Sequence, residues 1–155
     1  MDESSSIAAA AKAAANPFGK CLYFTANAVA REVTRIADEA FAPSGMCPSG
    51  ALLLSLVVDR PGIGPSEAAE ILHLAPSSVT RFADGLERKG FVERRAEGRQ
   101  SHLHPTEAGI EAKKGVMGCW QELHERYSGA VGETKGADLA SELARVAELL
   151  GDARS

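Results

Sequence analysis

The sequence lacks the motifs that define several large classes of protein. Its 155 residues include only three cysteines, Cys21, Cys47 and Cys119, whose spacing fits no metal site and whose odd number argues against a disulfide framework. It contains no Walker loop, nucleophile elbow, HExxH motif or paired carboxylates placed for acid and base catalysis. We therefore expect no enzyme, no metal site and no cofactor.

Long apolar runs are also missing. The longest outside the N-terminal segment, residues 51–58, falls far short of the roughly 20 residues that a membrane span needs. Asp2 and Glu3 give the start of the chain the wrong charge for a secretory leader. These features predict a cytoplasmic protein without a membrane partner.

Proline, glycine and capping residues mark a series of helices. The alanine-rich start has little to bury and predicts a flexible arm over residues 1–16. Asn16 and Pro17 predict the start of a long helix that ends near Ala42, and Pro48 opens an almost wholly apolar helix that ends at Arg60. Its composition predicts a place at the centre of the fold.

Two further helices are predicted near the C-terminus. Thr106 caps one that runs toward Ala130, and the last spans about 137–150. The first long helix and the last one each carry an apolar stripe. The stripe on the last helix exceeds what a single small domain needs, which predicts pairing with a second copy of the chain. The stripes are Leu22, Val29, Val33, Ile36 and Ala40 on the first, and Leu139, Leu143, Val146 and Leu150 on the last.

A helix-turn-helix is indicated between residues 65 and 89. Pro65 begins a short helix with Ala68, Ala69, Ile71 and Leu72 facing inward, and His73, Leu74 and Ala75 form the turn. Pro76 opens the second helix, Gly90 closes it, and Val79, Phe82, Ala83 and Leu86 form its buried stripe. The opposite face presents short hydroxyls and one guanidinium that suit base edges and phosphates in a major groove: Ser77, Ser78, Thr80 and Arg81. One of the hydroxyls is expected to cap the helix.

A hairpin follows the second helix. Phe91 and Val92 open one strand, Leu103 belongs to another, and Ala96, Glu97 and Gly98 are predicted to form a tight turn between them. An arginine at such a tip, here Arg99, suits the narrow minor groove. His102 and His104 alternate along the second strand, which favours exposure or phosphate contact over metal binding.

The net charge of minus four matters less than its distribution. Residues 88–99 include five basic side chains and only two acidic ones, whereas the segment after Thr106 is rich in acidic side chains. The basic residues are Arg88, Lys89, Arg94, Arg95 and Arg99. This distribution predicts a cationic ridge on the helix and hairpin.

The order of these elements, with VTRFADGLERKGFVERR followed by HPTEAG, resembles the multiple-antibiotic-resistance regulator (MarR-type) family from about Phe18 to Leu150. The resemblance implies a homodimeric winged helix with a helical dimerisation domain and control by a small molecule or by redox chemistry. The family's Asp-x-Arg wing signature corresponds to Glu97, Gly98 and Arg99, so the arginine is kept and the acid is one methylene longer.

We therefore predict a mainly α fold with a small β-hairpin wing. The DNA-binding lobe would span 48–105, and a helical dimerisation region would comprise 17–47 and 106–151. The expected function is a homodimeric transcriptional regulator, a repressor, on a pseudo-palindromic double-stranded operator. Predicted DNA contacts are Ser66, Ser77, Ser78, Thr80, Arg81, Arg94, Arg95 and Arg99.

The resemblance also directs attention to an effector or redox site. Tyr23, Met46 and Trp120, with Phe24, are candidates to line a cavity for a small-molecule effector, although ordinary core packing is the alternative. Cys21 lies near the position where peroxide-sensing relatives carry a reactive cysteine, whereas burial in the core is the usual place of a free cysteine.

Two alternatives to a ligand-controlled DNA regulator stay open. In the first, the winged helix is a protein-interaction module whose basic wing binds an acidic partner. In the second, the protein is an oxidant sensor that acts through Cys21 without a small ligand.

Overall fold

The computed structural model of the protein describes residues 3–98 and 100–152. The fold is mainly helical with one antiparallel hairpin, as predicted. Within the described residues the elements are α1 (Glu3–Ala15), α2 (Leu22–Phe41), a 3₁₀ turn (Ala42–Ser44), α3 (Pro48–Asp59), α4 (Pro65–Ile71), α5 (Pro76–Arg88), β1 (Val92–Glu97), β2 (Gln100–Pro105), α6 (Glu107–Val131) and α7 (Glu133–Asp152).

The chain divides into two units. Among the described residues, the first unit comprises 3–36 and 122–152, and the second comprises 37–121. Helices α2 and α6 each contribute to both units. The second unit contains the helix-turn-helix and the hairpin, and each unit is described by itself below.

The core of the second unit forms around α3. Leu53, Leu54 and Val57 are fully buried there, and they belong to one cluster with apolar residues of α4, α5 and both strands. The almost wholly apolar helix is therefore central, as predicted. The remaining members of the cluster are Ile63, Ala68, Ala69, Val79, Ala83, Leu86, Val92 and Leu103.

Proline begins three consecutive helices of this unit. Pro48, Pro65 and Pro76 stand in the first turn of α3, α4 and α5, where the absent N–H would have no helical partner. Gly90 follows α5 with φ of 71°, a left-handed conformation that glycine adopts without a steric penalty. These boundaries agree with the sequence prediction.

Thr106 joins the end of the α5 region to the start of α6. Its Oγ1 accepts the backbone N–H of Gly109 at 3.0 Å, which is the predicted N-cap of α6. The same hydroxyl donates to the carbonyl oxygen of Gly90 at 2.6 Å. One side chain thus satisfies groups on both sides of the hairpin.

Replacing Thr106 by valine keeps the shape of the side chain but removes both of these hydrogen bonds. We expect the free energy of unfolding to fall by about 1 to 2 kcal/mol. Urea denaturation measures the change, and Thr106→Ser is the matched control because it keeps the hydroxyl. Equal stability of the valine and serine variants would contradict this role.

The first unit corrects two predicted boundaries, whereas the flexibility predicted for residues 1–16 stays a prediction. Residues 3–15 form helix α1, with exposed side chains from residue 7 onward, because alanine has the highest helix propensity and needs no burial to favour this conformation. Helix α2 begins at Leu22 and not at Asn16, whose Oδ1 instead accepts the N–H of Phe18 at 2.9 Å in a turn. Helix α7 begins at Glu133, four residues before the predicted start.

Apolar side chains of the first unit lie at the surface of the single chain. Leu22, Val29 and Val33 on α2 are exposed, and so are Leu139, Leu143 and Leu150 on α7. The predicted stripes therefore exist, but these members are not covered within one chain. Such surfaces are typical of interaction sites.

None of the helices in the described residues, taken singly, combines the length and apolar character needed to cross a bilayer. One bent pair, Leu22–Ser44 with Pro48–Asp59 at 66°, meets the length and composition criteria when the two are joined.

Candidate nucleic-acid interface

The first turns of α5 present polar side chains to solvent. Ser77, Thr80 and Arg81 are exposed and Ser78 is half-buried, whereas Val79 on the other side is fully buried. The helix therefore has one packed face and one free face, as its sequence periodicity predicts. This free face is the centre of the candidate interface.

Capping of α5 differs from the prediction that a serine or threonine hydroxyl would cap it. Ala75 is the N-cap and makes no side-chain cap hydrogen bond. The Thr80 hydroxyl donates to the carbonyl oxygen of Pro76 at 3.1 Å, one turn back along the helix. Pro76 lowers the need for a cap because it removes one of the unpaired N–H groups at the helix start.

Helix α4 packs behind α5. Ala68 and Ala69 are buried, Leu72 is half-buried, and the turn to α5 contains His73 in a left-handed conformation with φ of 49°. The inward placement predicted for Ile71 is wrong, since its side chain is 40% exposed. Ile71 is the last residue of α4, so no further turn of the helix follows it. Ser66 lies exposed in the first turn of α4.

Strand register places the hairpin turn later than predicted. Ala96 pairs with Ser101 and Glu97 with Gln100, so both residues belong to β1 and not to the turn. Gly98 has φ of 67°, which suits the tight two-residue connection that this register requires. Arg99, the predicted minor-groove residue, lies outside the described residues.

Arg94 reaches from β1 to α5. Its Nη2 lies 2.5 Å from Oδ1 of Asp84, and its Nη1 is bonded to Oε2 of Glu87. Its side chain is only 28% exposed. The guanidinium of Arg81, one turn before Asp84 on α5, lies instead 5.2 Å from the ring centroid of Phe82.

The cationic ridge predicted from residue counts is smaller in the fold. Arg94 is paired as described, and Arg95 is exposed but contacts Glu93 at 2.5 Å on the same strand. Lys89 donates to the carbonyl oxygen of Gly45 at 2.6 Å. A count along the chain treats these charges as free, whereas their neighbours in space neutralise or engage several of them.

The two histidines of β2 are only partly exposed. His102 and His104 are both half-buried, and Nδ1 of His102 is 2.8 Å from the carbonyl oxygen of Gly62. Plain exposure on the wing is therefore wrong for both. No group of three or more potential metal ligands occurs among the described residues.

A cavity of about 300 Å³ lies in the second unit beside the 3₁₀ turn. Met46 lines it, and Trp120 does not, because the indole packs edge-on against Phe41 with ring centroids 4.5 Å apart. The full lining is Pro43, Ser44, Met46, Phe91, Ala112, Gly115, Val116 and Cys119. Phe91 was predicted only as a strand residue, and its place in the cavity lining was not predicted.

The remaining effector and redox candidates lie in the first unit. Tyr23 is 80% exposed and Cys21 is exposed, so the predicted core alternative is wrong for Cys21. Cys47 is exposed as well, whereas Cys119 is buried as expected for a free cysteine. Exposure is one requirement of a reactive thiol, and redox sensing by Cys21 stays a prediction.

Comparison with known proteins agrees with this fold. Residues 49–97, which cover α3 to β1, match the model of the MarR family. A MarR-family transcriptional regulator from Rhodococcus sp. RHA1 superposes with a TM-score of 0.77 at 21% identity, over 86% of this chain and 96% of that one. The repressor CouR, solved with a 23-mer DNA duplex, gives 0.76 at 21% identity over 84% and 94%.

CouR from Rhodococcus jostii RHA1 was also solved with p-coumaroyl-CoA, and this structure gives a TM-score of 0.74 at 22% identity over 86% of this chain and 96% of that one. No curated protein sequence matches this chain. The helix, turn, helix and hairpin thus define a winged helix-turn-helix. The match of residues 49–97 to the MarR-family model agrees with the resemblance seen in the sequence.

Proposed function

We propose that the protein is a sequence-specific double-stranded DNA-binding transcriptional regulator, and that it acts as a repressor. The observation that carries this proposal is the free N-terminal face of α5, with exposed Ser77, Thr80 and Arg81, braced by α4 and followed directly by a hairpin. Short hydroxyls and a guanidinium at the start of a braced helix are suited to base edges and phosphates. CouR, which has the same fold, was solved on duplex DNA as a repressor.

The proposed active form is a homodimer. Exposed leucines and valines on α2 and α7 provide apolar surface that a second copy would bury. Two copies related by a two-fold axis would present two α5 helices to major grooves about one helical turn apart. The expected operator is therefore pseudo-palindromic.

We further propose that a small ligand controls DNA binding through the cavity beside Met46. Phe91 lines this cavity and directly follows Gly90 at the end of α5, and Gly45 next to Met46 accepts the hydrogen bond from Lys89 of the same region. A ligand that prefers one arrangement of these groups would shift the population of DNA-competent molecules by its differential affinity. The cavity lining is mostly apolar, which favours a largely apolar ligand.

Salt titration distinguishes DNA binding from the protein-interaction alternative. Affinity should be measured by fluorescence anisotropy for duplex DNA and, in parallel, for heparin as a decoy polyanion. A DNA regulator should discriminate between duplex sequences, with log affinity falling linearly with log salt. Equal affinity for every duplex and for heparin would favour a basic surface that binds acidic partners.

Arg99→Ala tests the proposed minor-groove contact of the wing. Because one phosphate-level contact would be lost, we expect weaker binding to most duplexes and a log–log salt slope reduced by about one unit. Anisotropy titrations at several salt concentrations measure the slope. An unchanged slope would count against minor-groove contact by Arg99.

A further inference from the structure

The ion-pair cluster between the hairpin and α5 suggests a role for Arg94 other than the predicted contact with DNA. We propose that Arg94 is a positioning residue that fixes the hairpin to α5 and offsets part of the negative charge of two carboxylates on that helix. This inference rests on the proposed DNA-binding function. It specifies which contact holds the hairpin against the polar face of α5. We call Arg94, Asp84 and Glu87 the wing clamp.

The geometry of the wing clamp uses both ends of one guanidinium. Nη2 of Arg94 lies 2.5 Å from Asp84 Oδ1, while Nη1 is bonded to Glu87 Oε2. The two carboxylates are three residues apart on α5 and so project from the same side of the helix. A planar guanidinium holds two acceptors in fixed directions, which a lysine ammonium does not. The orientation of β1 relative to α5 is thereby restrained.

The carboxylates of the wing clamp lie on the face that would read DNA. Asp84 follows Thr80 by four residues and Arg81 by three, so it shares their side of the helix. Unpaired, Asp84 and Glu87 would repel the phosphates that this face approaches. Paired with Arg94, the three side chains carry a single negative charge. Arg94 therefore supports binding without touching the duplex.

The burial of Arg94 agrees with this role. Its side chain is 28% exposed, whereas the neighbouring Arg95 is 59% exposed and pairs with Glu93 on its own strand. Both terminal nitrogens of Arg94 already have a carboxylate acceptor on α5, which directs its guanidinium toward that helix. Of the two arginines, Arg94 is thus the one that links β1 to α5.

A double-mutant cycle separates the clamp from direct DNA contact. Arg94→Gln should lower the affinity for the preferred duplex about tenfold in the native background, because two carboxylates become unpaired, a loss of about 1.4 kcal/mol. In the Asp84→Asn, Glu87→Gln background the same change should cost no more than about twofold, since no charge is left to neutralise. Equal costs in both backgrounds would show that Arg94 binds phosphate itself and would overturn the proposal.

Hydrogen exchange tests the clamp without DNA, so it remains informative if the protein binds no duplex and the proposed function fails. Arg94→Gln and the double acid variant should each speed exchange of the amides that pair β1 with β2, and the triple variant should add nothing further. Arg145→Gln is the matched control, because it breaks an exposed arginine–glutamate pair on α7. Unchanged exchange in the hairpin, or additive effects, would overturn the positioning role.

Discussion

Replacing Arg81 by alanine should cost about 1 to 3 kcal/mol of binding free energy at the preferred operator and much less on random duplex DNA. The reason is the place of Arg81 on the exposed face of α5, with Asp84 and Glu87 already bound by Arg94. Its guanidinium lies 5.2 Å from the ring centroid of Phe82, a cation–π contact that restrains the end of the side chain. Paired titrations on operator and random duplex measure the difference.

The control for this prediction removes an equal charge elsewhere. Arg145→Ala takes one guanidinium from α7, where it pairs with Glu142, and should leave the ratio of operator to random affinity unchanged. If Arg81→Ala weakened both duplexes by the same factor, Arg81 would be a backbone contact. Sequence reading would then have to lie in the hydroxyls of Ser77 and Thr80.

The largest effect on stability is expected from Gly109→Ala. An added Cβ at this buried glycine would lie 1.9 Å from the carbonyl oxygen of Phe91, so the start of α6 and the end of the α5 region would have to separate. We expect the free energy of unfolding to fall by about 3 kcal/mol, the upper range for overpacked sites. For a chain of this size the melting temperature would fall by roughly 6 to 12 °C.

Gly118→Ala provides the matched comparison on the same helix. No atom lies within 4 Å of an added Cβ there, so the substitution should raise stability by up to about 1 kcal/mol through helix propensity. Calorimetry of the two variants gives the contrast directly. Equal melting temperatures for the two variants would contradict the close packing of α6 on Phe91.

Local signals in the sequence were sufficient for most of the second unit. Pro48, Pro65, Pro76 and Gly90 fix where backbone conformation must change, and those constraints depend on one or two residues only. The hairpin turn begins at Gly98, two residues later than the predicted start at Ala96. The reason is that pairing with the neighbouring strand sets the register, and the residue types in the turn do not set it alone. Helix α1 follows the high helix propensity of its alanines, a local signal that does not depend on burial.

The candidate site was harder to predict because its charges pair in three dimensions. The contact of Arg94 with Asp84 joins positions ten residues apart on two different elements, and no periodicity relates a strand residue to a helix residue. The bond between Lys89 and Gly45 spans 44 residues. Residue types and their approximate surface were therefore predictable, whereas the choice of which cations stay available required the fold.

The proposed function depends most on α5 being a DNA-reading helix in a two-fold symmetric dimer. The direct measurement is selection of bound fragments from a random pool of duplex DNA with the purified protein, followed by sequencing. We predict a consensus with two-fold symmetric half-sites about one helical turn apart. Recovery of fragments without any shared sequence, or failure to retain duplex DNA at low salt, would contradict the account.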